Sequence, residues 1–142
     1  MKSNKPILLV EDDEVDVMTI QRALKTLKIT NPLNVAGNGE EALTHLHATE
    51  TTLPCLILLD LNMPRMGGLE FLSIVKQDVT LRRIPVVILT SSREEQDRIA
   101  SFDKSVAGYM VKPVGDEQFV AVVRAIDLYW TLSEMPGEGT DV

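Results

Sequence analysis

The residues of this chain that could carry out chemistry each lie at the end of a short apolar run. Glu11 and Asp12 follow one run, Asp60 and Thr90 end two others, and Lys112 follows a fourth. Carboxylates, a hydroxyl and an ammonium group can together bind a divalent cation and stabilise a phosphoryl group during its transfer. A carboxylate is also a nucleophile that can form an aspartyl phosphate. These positions predict phosphoryl chemistry if the fold brings them together.

The apolar segment that ends at Asp60 fixes the place of this residue. The run is typical of a strand buried on both faces, and it stops at this one carboxylate. Pro64 has no amide hydrogen to donate, and the glycines after it favour a turn, so the strand cannot continue. In open parallel sheets, ligands bind at the carboxyl ends of the strands. Asp60 is therefore predicted to face a loop at that edge of a central strand.

Apolar runs and amphipathic segments alternate along the rest of the chain. The predicted strands are 7–10, 33–36, 55–60, 84–89 and 108–111, and a helix follows each of them. Capping boxes beginning at Asn38 and Ser92 mark the second and fourth helices, and the segment 30–32 is predicted to end the first. This alternation predicts an α/β fold with a doubly wound parallel sheet and helices on both faces.

The composition is that of one ordinary globular domain. The chain has 142 residues, of which 44% are hydrophobic and 25% charged, and no apolar run reaches the roughly 20 residues that span a bilayer. The start of the chain lacks the apolar core of a signal peptide, and Cys55 is expected to be a small buried hydrophobe. We expect a cytoplasmic protein with a single domain at 1–132 and a flexible tail at 133–142. The net charge of −7 argues against nucleic-acid binding.

The charges predicted at the edge of the sheet require compensation. Three carboxylates in one pocket repel one another and raise one another's pKa. A divalent cation such as Mg²⁺ and the ammonium of Lys112 would offset this repulsion, and Thr90 could donate a hydrogen bond to a phosphoryl oxygen. In this interpretation Asp60 is the nucleophile.

Each of these residues taken alone has a simpler structural explanation. Glu11 and its acidic neighbours could be the charged start of a helix. Asp60 and Thr90 could belong to turns or caps, and Lys112 could be a solvated lysine before a proline. However, all of these signals fall at the same edge of a sheet that is predicted independently of them. This coincidence favours a functional site.

Taken in order, the motifs resemble those of a response-regulator receiver domain of two-component signalling, the family of the chemotaxis response regulator. The resemblance covers Lys5 to about Trp130. It rests on Leu-Val-Glu11-Asp12-Asp13, Asp60-Leu-Asn62-Met63-Pro64-x-x-x-Gly68, Leu89-Thr90-Ser91 and Tyr109-x-x-Lys112-Pro113. It implies a flavodoxin-like sheet of five parallel strands in the order 2-1-3-4-5, flanked by five helices.

The resemblance also implies a phosphoacceptor and a metal site. Asp60 would accept a phosphoryl group from the phosphohistidine of a sensor histidine kinase. Asp12, Asp60 and the backbone carbonyl of Asn62 would hold Mg²⁺, with Glu11 contributing directly or through water. Mn²⁺ or Ca²⁺ would be substitutes. The protein would not be an enzyme beyond catalysing its own phosphorylation and dephosphorylation.

Further residues matching the family would report the phosphorylation. Thr90 and Lys112 would contact the phosphoryl group, and Tyr109 would be the aromatic residue that moves inward on activation. The peptide bond between Lys112 and Pro113 is expected to be cis, as is typical of the family.

The output is predicted to be a contact between proteins. No DNA-binding segment follows the domain, and there is no basic stripe. The fifth helix is unusually apolar, so a homodimer is expected through the surface formed by the fourth helix, fifth strand and fifth helix. Phe119, Val123, Tyr129 and Trp130 are assigned to this dimer face. The alternative is that Trp130 folds back onto its own domain.

Within the family, the chain is similar to the stand-alone regulators paired with bacterial and cyanobacterial phytochromes, which would make the kinase a phytochrome. The similarity lies in the motif from Asp60 to Gly68, in 81–92 and in the aromatic segment 126–130. The chain departs from the family at Gly67, where Asp or Asn is usual, and at Ser105 and Val106, which replace Gly-Ala.

Two other functions remain open from the sequence. The first is a phosphate-ester hydrolase with an aspartyl nucleophile, although such enzymes typically have a second Asp where this chain has Asn62. The second is a degenerate receiver that acts as a scaffold by protein binding alone. The complete set of site residues argues against the scaffold.

Overall fold

Five short apolar segments form one parallel sheet in the computed structural model of this chain. The structure describes residues 3–48, 50–61, 63, 66–102 and 105–132, without the side chains at 102 and 128–132. The strands are β1 (Ile7–Val10), β2 (Leu33–Ala36), β3 (Leu56–Asp60), β4 (Val86–Thr90) and β5 (Gly108–Val111). They lie in the order β2-β1-β3-β4-β5, and every neighbouring pair is parallel. The predicted doubly wound, flavodoxin-like sheet is confirmed.

Five helices cover the two faces of this sheet. They are α1 (Glu14–Thr26), α2 (Gly39–His47), α3 (Gly68–Gln77), α4 (Arg93–Phe102) and α5 (Asp116–Leu132). Successive strand residues point to opposite faces. Leu56 and Leu58 of β3 therefore pack under α1 and α5, whereas Ile57 and Leu59 pack under α2, α3 and α4. By the same alternation, Asp60 points to the side of α1 and α5.

Strands β1, β3 and β4 are buried along their whole length, which explains why their sequences are continuous apolar runs. Full burial of each large aliphatic side chain contributes roughly 1.5–3 kcal/mol to folding. Asp60 and Thr90 are the polar ends of two of these strands and are themselves only 3% and 0% exposed. The hydrophobic core therefore holds both of them in fixed positions.

Polar side chains cap the helices where the sequence predicts capping boxes. The side chain of Asn38 accepts a hydrogen bond from the backbone N–H of Glu41 at 2.9 Å and donates one to the carboxylate of that residue at 3.2 Å. Ser92 accepts a hydrogen bond from the N–H of Glu95 at 3.1 Å, and the Glu95 carboxylate accepts one from Ser91 at 2.9 Å. Gly67, the residue before α3, offers no side chain to cap the helix, as the departure from the family at this position predicts.

Helix α1 ends earlier than the sequence predicts. The last residue of α1 is Thr26, four residues before the predicted break at 30–32. Lys28, which follows the helix, has a left-handed backbone conformation with φ of 58°. The N–H of Ile29 donates to the carbonyl of Leu24 at 2.9 Å, and the N–H of Lys28 donates to that of Lys25 at 3.1 Å. This pair of bonds is a Schellman motif, usually built with glycine. The side chain of Ile29, the last residue of this motif, packs against the core.

Phe119 lies in the hydrophobic core and not on the surface. Its side chain is 0% exposed, and together with Val122 and Ile126 it forms the side of α5 that packs into the core. The prediction that Phe119 belongs to a dimer face is therefore wrong. These three residues follow one another at helical spacing and form the apolar stripe through which α5 packs on the sheet.

Three smaller expectations concern the ends and the periphery of the fold. No helix in the part of the chain that the structure describes is long and apolar enough to cross a bilayer. Cys55 is buried, as predicted, and its thiol donates to the carbonyl of Lys5 at 3.3 Å. The tail predicted at 133–142 lies outside the described residues.

Candidate functional site

The carboxyl ends of neighbouring strands bring four of the predicted site residues, Glu11, Asp12, Asp60 and Lys112, into one open cleft of about 540 Å³. Glu11 and Asp12 follow β1, Asp60 ends β3 and Lys112 follows β5. Thr90, at the end of β4, lies buried beside Asp60 in the sheet. The fold therefore gathers the residues that the sequence singled out, although they are spread over a hundred positions of the chain.

Three carboxylates lie together in this cleft. Glu11, Asp12 and Asp60 each offer an oxygen atom, and these atoms lie within 4.8 Å of one another. Glu11 and Asp60 are buried, whereas Asp12 is exposed to solvent. Like charges this close repel strongly away from water, so the arrangement requires positive charge.

Lys112 supplies that positive charge within the protein. Its Nζ lies 2.8 Å from Oε1 of Glu11, 2.9 Å from Oδ2 of Asp16 and 3.1 Å from Oδ1 of Asp60. The contact with Asp16 has the geometry of a hydrogen bond that the ammonium donates. The contact with Glu11 is an ion pair without the alignment of a good hydrogen bond.

The pKa of Glu11 reflects this environment. Burial and, to a smaller extent, the charge of Asp60 raise the pKa from 4.5 to about 7, although Lys112 and the backbone N–H of Asp13 act in the opposite direction. Metal-free protein therefore carries a Glu11 that is readily protonated near neutral pH.

The ammonium of Lys112 responds in the opposite way. Burial alone would lower the pKa of Lys112, but hydrogen bonds to Glu11 and Asp16 and the charges of Asp60 and Glu11 raise it above its ordinary value. Lys112 is consequently a permanent positive charge at physiological pH.

The donor set fits a hard divalent cation. Mg²⁺ takes oxygen ligands, carboxylates among them, in an octahedral arrangement. The three carboxylate oxygens lie within 4.8 Å of one another, so side-chain movements toward a common point would bring them onto one ion. The exposed Asp12 leaves one side of the cleft open for water or phosphate. Asn62, the fourth predicted ligand, lies outside the described residues.

Thr90 and Tyr109, the two residues predicted to move on activation, lie on the neighbouring strands β4 and β5. The Thr90 hydroxyl is fully buried and faces the carbonyl of Met110 at 3.5 Å, a long and weak contact. Tyr109 is half-buried on β5, opposite Ile88, and packs against the core on the α4 side.

The loop after β5 presents Lys112 in a fixed conformation. The Lys112–Pro113 peptide bond is cis, as predicted. Gln118 of α5 accepts a hydrogen bond from the N–H of Val111 at 2.8 Å and donates to the carbonyl of the same residue at 2.9 Å. The backbone N–H of Lys112 donates to the carbonyl of Thr90 at 2.8 Å. These contacts tie the loop to both α5 and β4.

The turn from β3 into α3 brings two backbone segments into direct contact at Gly68. Its N–H donates to the carbonyl of Leu61 at 3.2 Å. A Cβ atom at this position would lie 2.7 Å from both the carbonyl oxygen of Asp60 and the Cα of Leu61. Glycine is therefore required here, directly beside the predicted phosphoacceptor.

Asp16 also lines the cleft, although the sequence analysis did not identify it as a site residue. It lies in the first turn of α1 and contacts Lys112 at 2.9 Å. The sequence signal was its position in the first turn of the helix that directly follows Glu11 and Asp12. That signal was hidden in an acidic segment that also suits the start of a helix.

Comparison with known proteins identifies relatives over most of the chain. The profile of the response regulator receiver domain matches residues 7–124. The response regulator Rcp1 of Synechocystis sp. is 39% identical over 135 residues, which cover 91% of this chain and 92% of Rcp1.

Solved structures agree with this similarity. The bacteriophytochrome response regulator RtBRR superposes with a TM-score of 0.83 at 42% identity, covering 96% of this chain and 86% of its own. The Mn²⁺-bound form of Rcp1 has a TM-score of 0.70 at 36% identity, with 94% and 99% covered. The phosphorylated cyanobacterial phytochrome response regulator RcpA has a TM-score of 0.73 at 35% identity, with 96% and 100% covered.

Proposed function

Since the chain belongs to the family of response regulator receiver domains, we propose that Asp60 accepts a phosphoryl group from the phosphohistidine of a sensor histidine kinase. The observation that carries this proposal is the position of Asp60 in the cleft. Its carboxylate ends the central strand, lies 3.1 Å from the ammonium of Lys112 and shares the cleft with two further carboxylates. The alternative of a scaffold that only binds proteins has no such use for this buried charge.

In the proposed reaction an oxygen of the Asp60 carboxylate attacks the phosphorus atom of the donor. The phosphorus–nitrogen bond of the phosphohistidine breaks, its electron pair returns to the imidazole ring, and an acyl phosphate forms on the aspartate. Lys112 offsets negative charge on the phosphoryl oxygens, and Thr90 can donate a hydrogen bond to one of them.

The same cleft would hold the cofactor of this reaction. Asp12, Asp60 and the backbone carbonyl of Asn62 would bind Mg²⁺, with Glu11 contributing directly or through water. A bound Mg²⁺ ion would neutralise charge on the phosphoryl oxygens. Mn²⁺ or Ca²⁺ could substitute, and the relative Rcp1 has been solved in an Mn²⁺-bound form.

Phosphorylation would change the surface formed by α4, β5 and α5. Thr90 moves toward the phosphoryl group and half-buried Tyr109 follows it inward, which shifts an existing equilibrium between two conformations. The similarity to RtBRR and RcpA supports a phytochrome as the kinase partner.

Intact mass spectrometry after incubation with acetyl phosphate tests the proposal. Wild-type protein should gain one phosphoryl group in the presence of Mg²⁺ and none in the presence of a chelator. Asp60→Asn should gain none, because an amide is not a nucleophile toward phosphorus at neutral pH. Asp97→Asn, which removes an exposed acid from α4, is the matched control and should behave like wild type.

Any of three results would contradict the proposal. Uptake that persists in Asp60→Asn would assign the phosphoryl group to another residue. No uptake by wild type would favour the scaffold, while continuous turnover of a phosphate ester would favour a hydrolase.

We also propose a homodimer through the surface of α4, β5 and α5, without nucleic-acid or membrane partners. Val123 of the predicted dimer face is half-buried against the core, and the side chains of Tyr129 and Trp130 lie outside the described residues. Support comes from the exposed alanines of α5, Ala121 and Ala125, which line an open cleft beside β5.

Sedimentation velocity across a concentration series tests the dimer. We expect dimer at tens of micromolar and monomer for Ala121→Glu, which places a charge in the proposed interface. Ala48→Glu, an equally exposed alanine after α2, should remain dimeric. Only monomer in wild type at these concentrations would rule the dimer out.

A further inference from the structure

Lys112, which contacts Asp60, also belongs to a closed ring of polar contacts among four residues. Lys112 contacts Oε1 of Glu11 at 2.8 Å, and Oε2 of Glu11 accepts a hydrogen bond from the backbone N–H of Asp13 at 3.3 Å. Oδ1 of Asp13 accepts a hydrogen bond from the N–H of Asp16 at 3.2 Å. Oδ2 of Asp16 returns to Lys112 at 2.9 Å and closes the ring.

This ring fixes the ammonium of Lys112 without help from Asp60. Two of its three contacts are made to Glu11 and Asp16, and the third is made to Asp60. A lysine side chain has many rotamers, so a single partner would leave its end free to move. Two partners on different elements, one after β1 and one on α1, define a single position.

We infer that Asp16 is a positioning residue that holds the Lys112 ammonium against Asp60 during phosphoryl transfer. This inference rests on the proposed function of Asp60 as phosphoacceptor. When an oxygen of Asp60 bonds to phosphorus, that carboxylate loses its charge, and the N–H directed at it becomes available to a phosphoryl oxygen. Asp16, which accepts a hydrogen bond from the ammonium, and Glu11, which forms an ion pair with it, still hold the ammonium in place, so it does not need to be reoriented.

Asp16 is well placed for this task because its own backbone is fixed. Asp13 caps α1 by accepting hydrogen bonds from the N–H groups of Val15 at 2.8 Å and Asp16 at 3.2 Å. The side chain of Asp16 is 27% exposed, so its charge is only partly screened by water. Glu14 lies in the same turn, carries the same charge and is exposed.

The first test is the rate of phosphorylation by acetyl phosphate at saturating Mg²⁺. In Asp16→Ala we expect a rate about tenfold lower than in wild type, the lower end of what removal of an outer-shell partner costs at a metal site. Asp16→Asn should recover most of the rate, because its amide oxygen still accepts from the ammonium. Glu14→Ala removes an equal charge from the same turn and should leave the rate unchanged.

The second test observes the ammonium group directly. In nitrogen NMR of lysine side chains, the Lys112 resonance is identified by its loss in Lys112→Ala. Its protons should exchange with water faster in Asp16→Ala and remain slow in Asp16→Asn and Glu14→Ala. A melting curve for each variant verifies that it is folded.

The outcomes separate this inference from the proposed function. Phosphorylation of wild type with an unchanged rate or unchanged ammonium exchange in Asp16→Ala overturns the positioning role alone. An equal loss of rate in Glu14→Ala also overturns it, because charge and not contact would then be responsible. A wild-type chain that takes up no phosphoryl group overturns the proposed function and this inference with it.

Discussion

Replacing Lys112 with methionine is expected to lower the free energy of unfolding of the metal-free protein by about 3 kcal/mol, because breaking a buried ion pair leaves an uncompensated charge. Lys112 contacts three carboxylates, and its side chain is only 19% exposed. Without it, the buried charge of Asp60 has no counter-ion, and Glu11 stays buried beside it only if it takes up a proton. Chemical denaturation in a chelating buffer measures the effect.

A second substitution tests the cause of this loss. In the double variant Glu11→Gln, Lys112→Met the most buried charge is neutral, so a large part of the lost stability should return. Lys25→Met changes an exposed lysine in the last turn of α1 and should alter stability by less than about 0.5 kcal/mol. A double variant as unstable as Lys112→Met would mean that lost packing, not charge, is responsible.

The loss of stability in Lys112→Met should also depend on pH. The pKa of Glu11 is raised on folding from 4.5 to about 7, so the folded protein binds the proton more tightly than the unfolded chain. Its contribution to stability is fully present below pH 4.5 and is lost as pH rises through 7. Since Lys112 opposes this shift, the difference between variant and wild type should widen from about pH 6 to about pH 8.

Gly68→Ala is expected to destabilise the protein by about 3 kcal/mol, at the upper end of what overpacking costs. The added methyl group would lie 2.7 Å from the carbonyl oxygen of Asp60 and from the Cα of Leu61, and backbone atoms cannot move aside as a flexible side chain can. The end of β3 must therefore shift, and phosphorylation of Asp60 should fall with stability. Thermal melts and the acetyl phosphate assay measure the two effects.

The adjacent glycine provides the matched control. A Cβ at Gly67 meets nothing within 4 Å, so Gly67→Ala should be close to wild type in both measurements. Equal destabilisation by the two substitutions would show that loss of glycine flexibility matters at this turn, and not the close approach at Gly68.

The sequence predicted the strands that carry this site, because a buried strand and the residues that end it can be recognised locally. A strand buried on both faces has to be apolar, so the change to Asp60 or to Thr90 marks a strand end without any knowledge of neighbours. Since parallel strands share one edge, the gathering of these residues followed from the alternation of strands and helices alone.

The errors arose where long-range contacts decide the outcome. Phe119 was placed on a surface because apolar spacing along a helix does not tell which partner covers it, and here the partner is the sheet. Asp16 was read as part of a charged helix start because its contact is with Lys112, 96 positions away. Lys28 has no sequence signal for a left-handed residue, and its conformation accompanies the packing of the next residue, Ile29, against the core.

The order of the strands has a further consequence for how the protein responds. Backbone amides of β3 and β4 are held between neighbours on both sides, whereas β5 lies at an edge of the sheet. In hydrogen exchange, inner strands of this kind open only with global unfolding, and edge strands open by local fluctuation. We therefore expect Asp60 to lie in a slowly exchanging unit, and Tyr109 and the residues that lead to Lys112 in a unit that opens more readily. Under the proposed function, a phosphoryl group on Asp60 would redistribute the states of β5 and leave the rest of the fold intact.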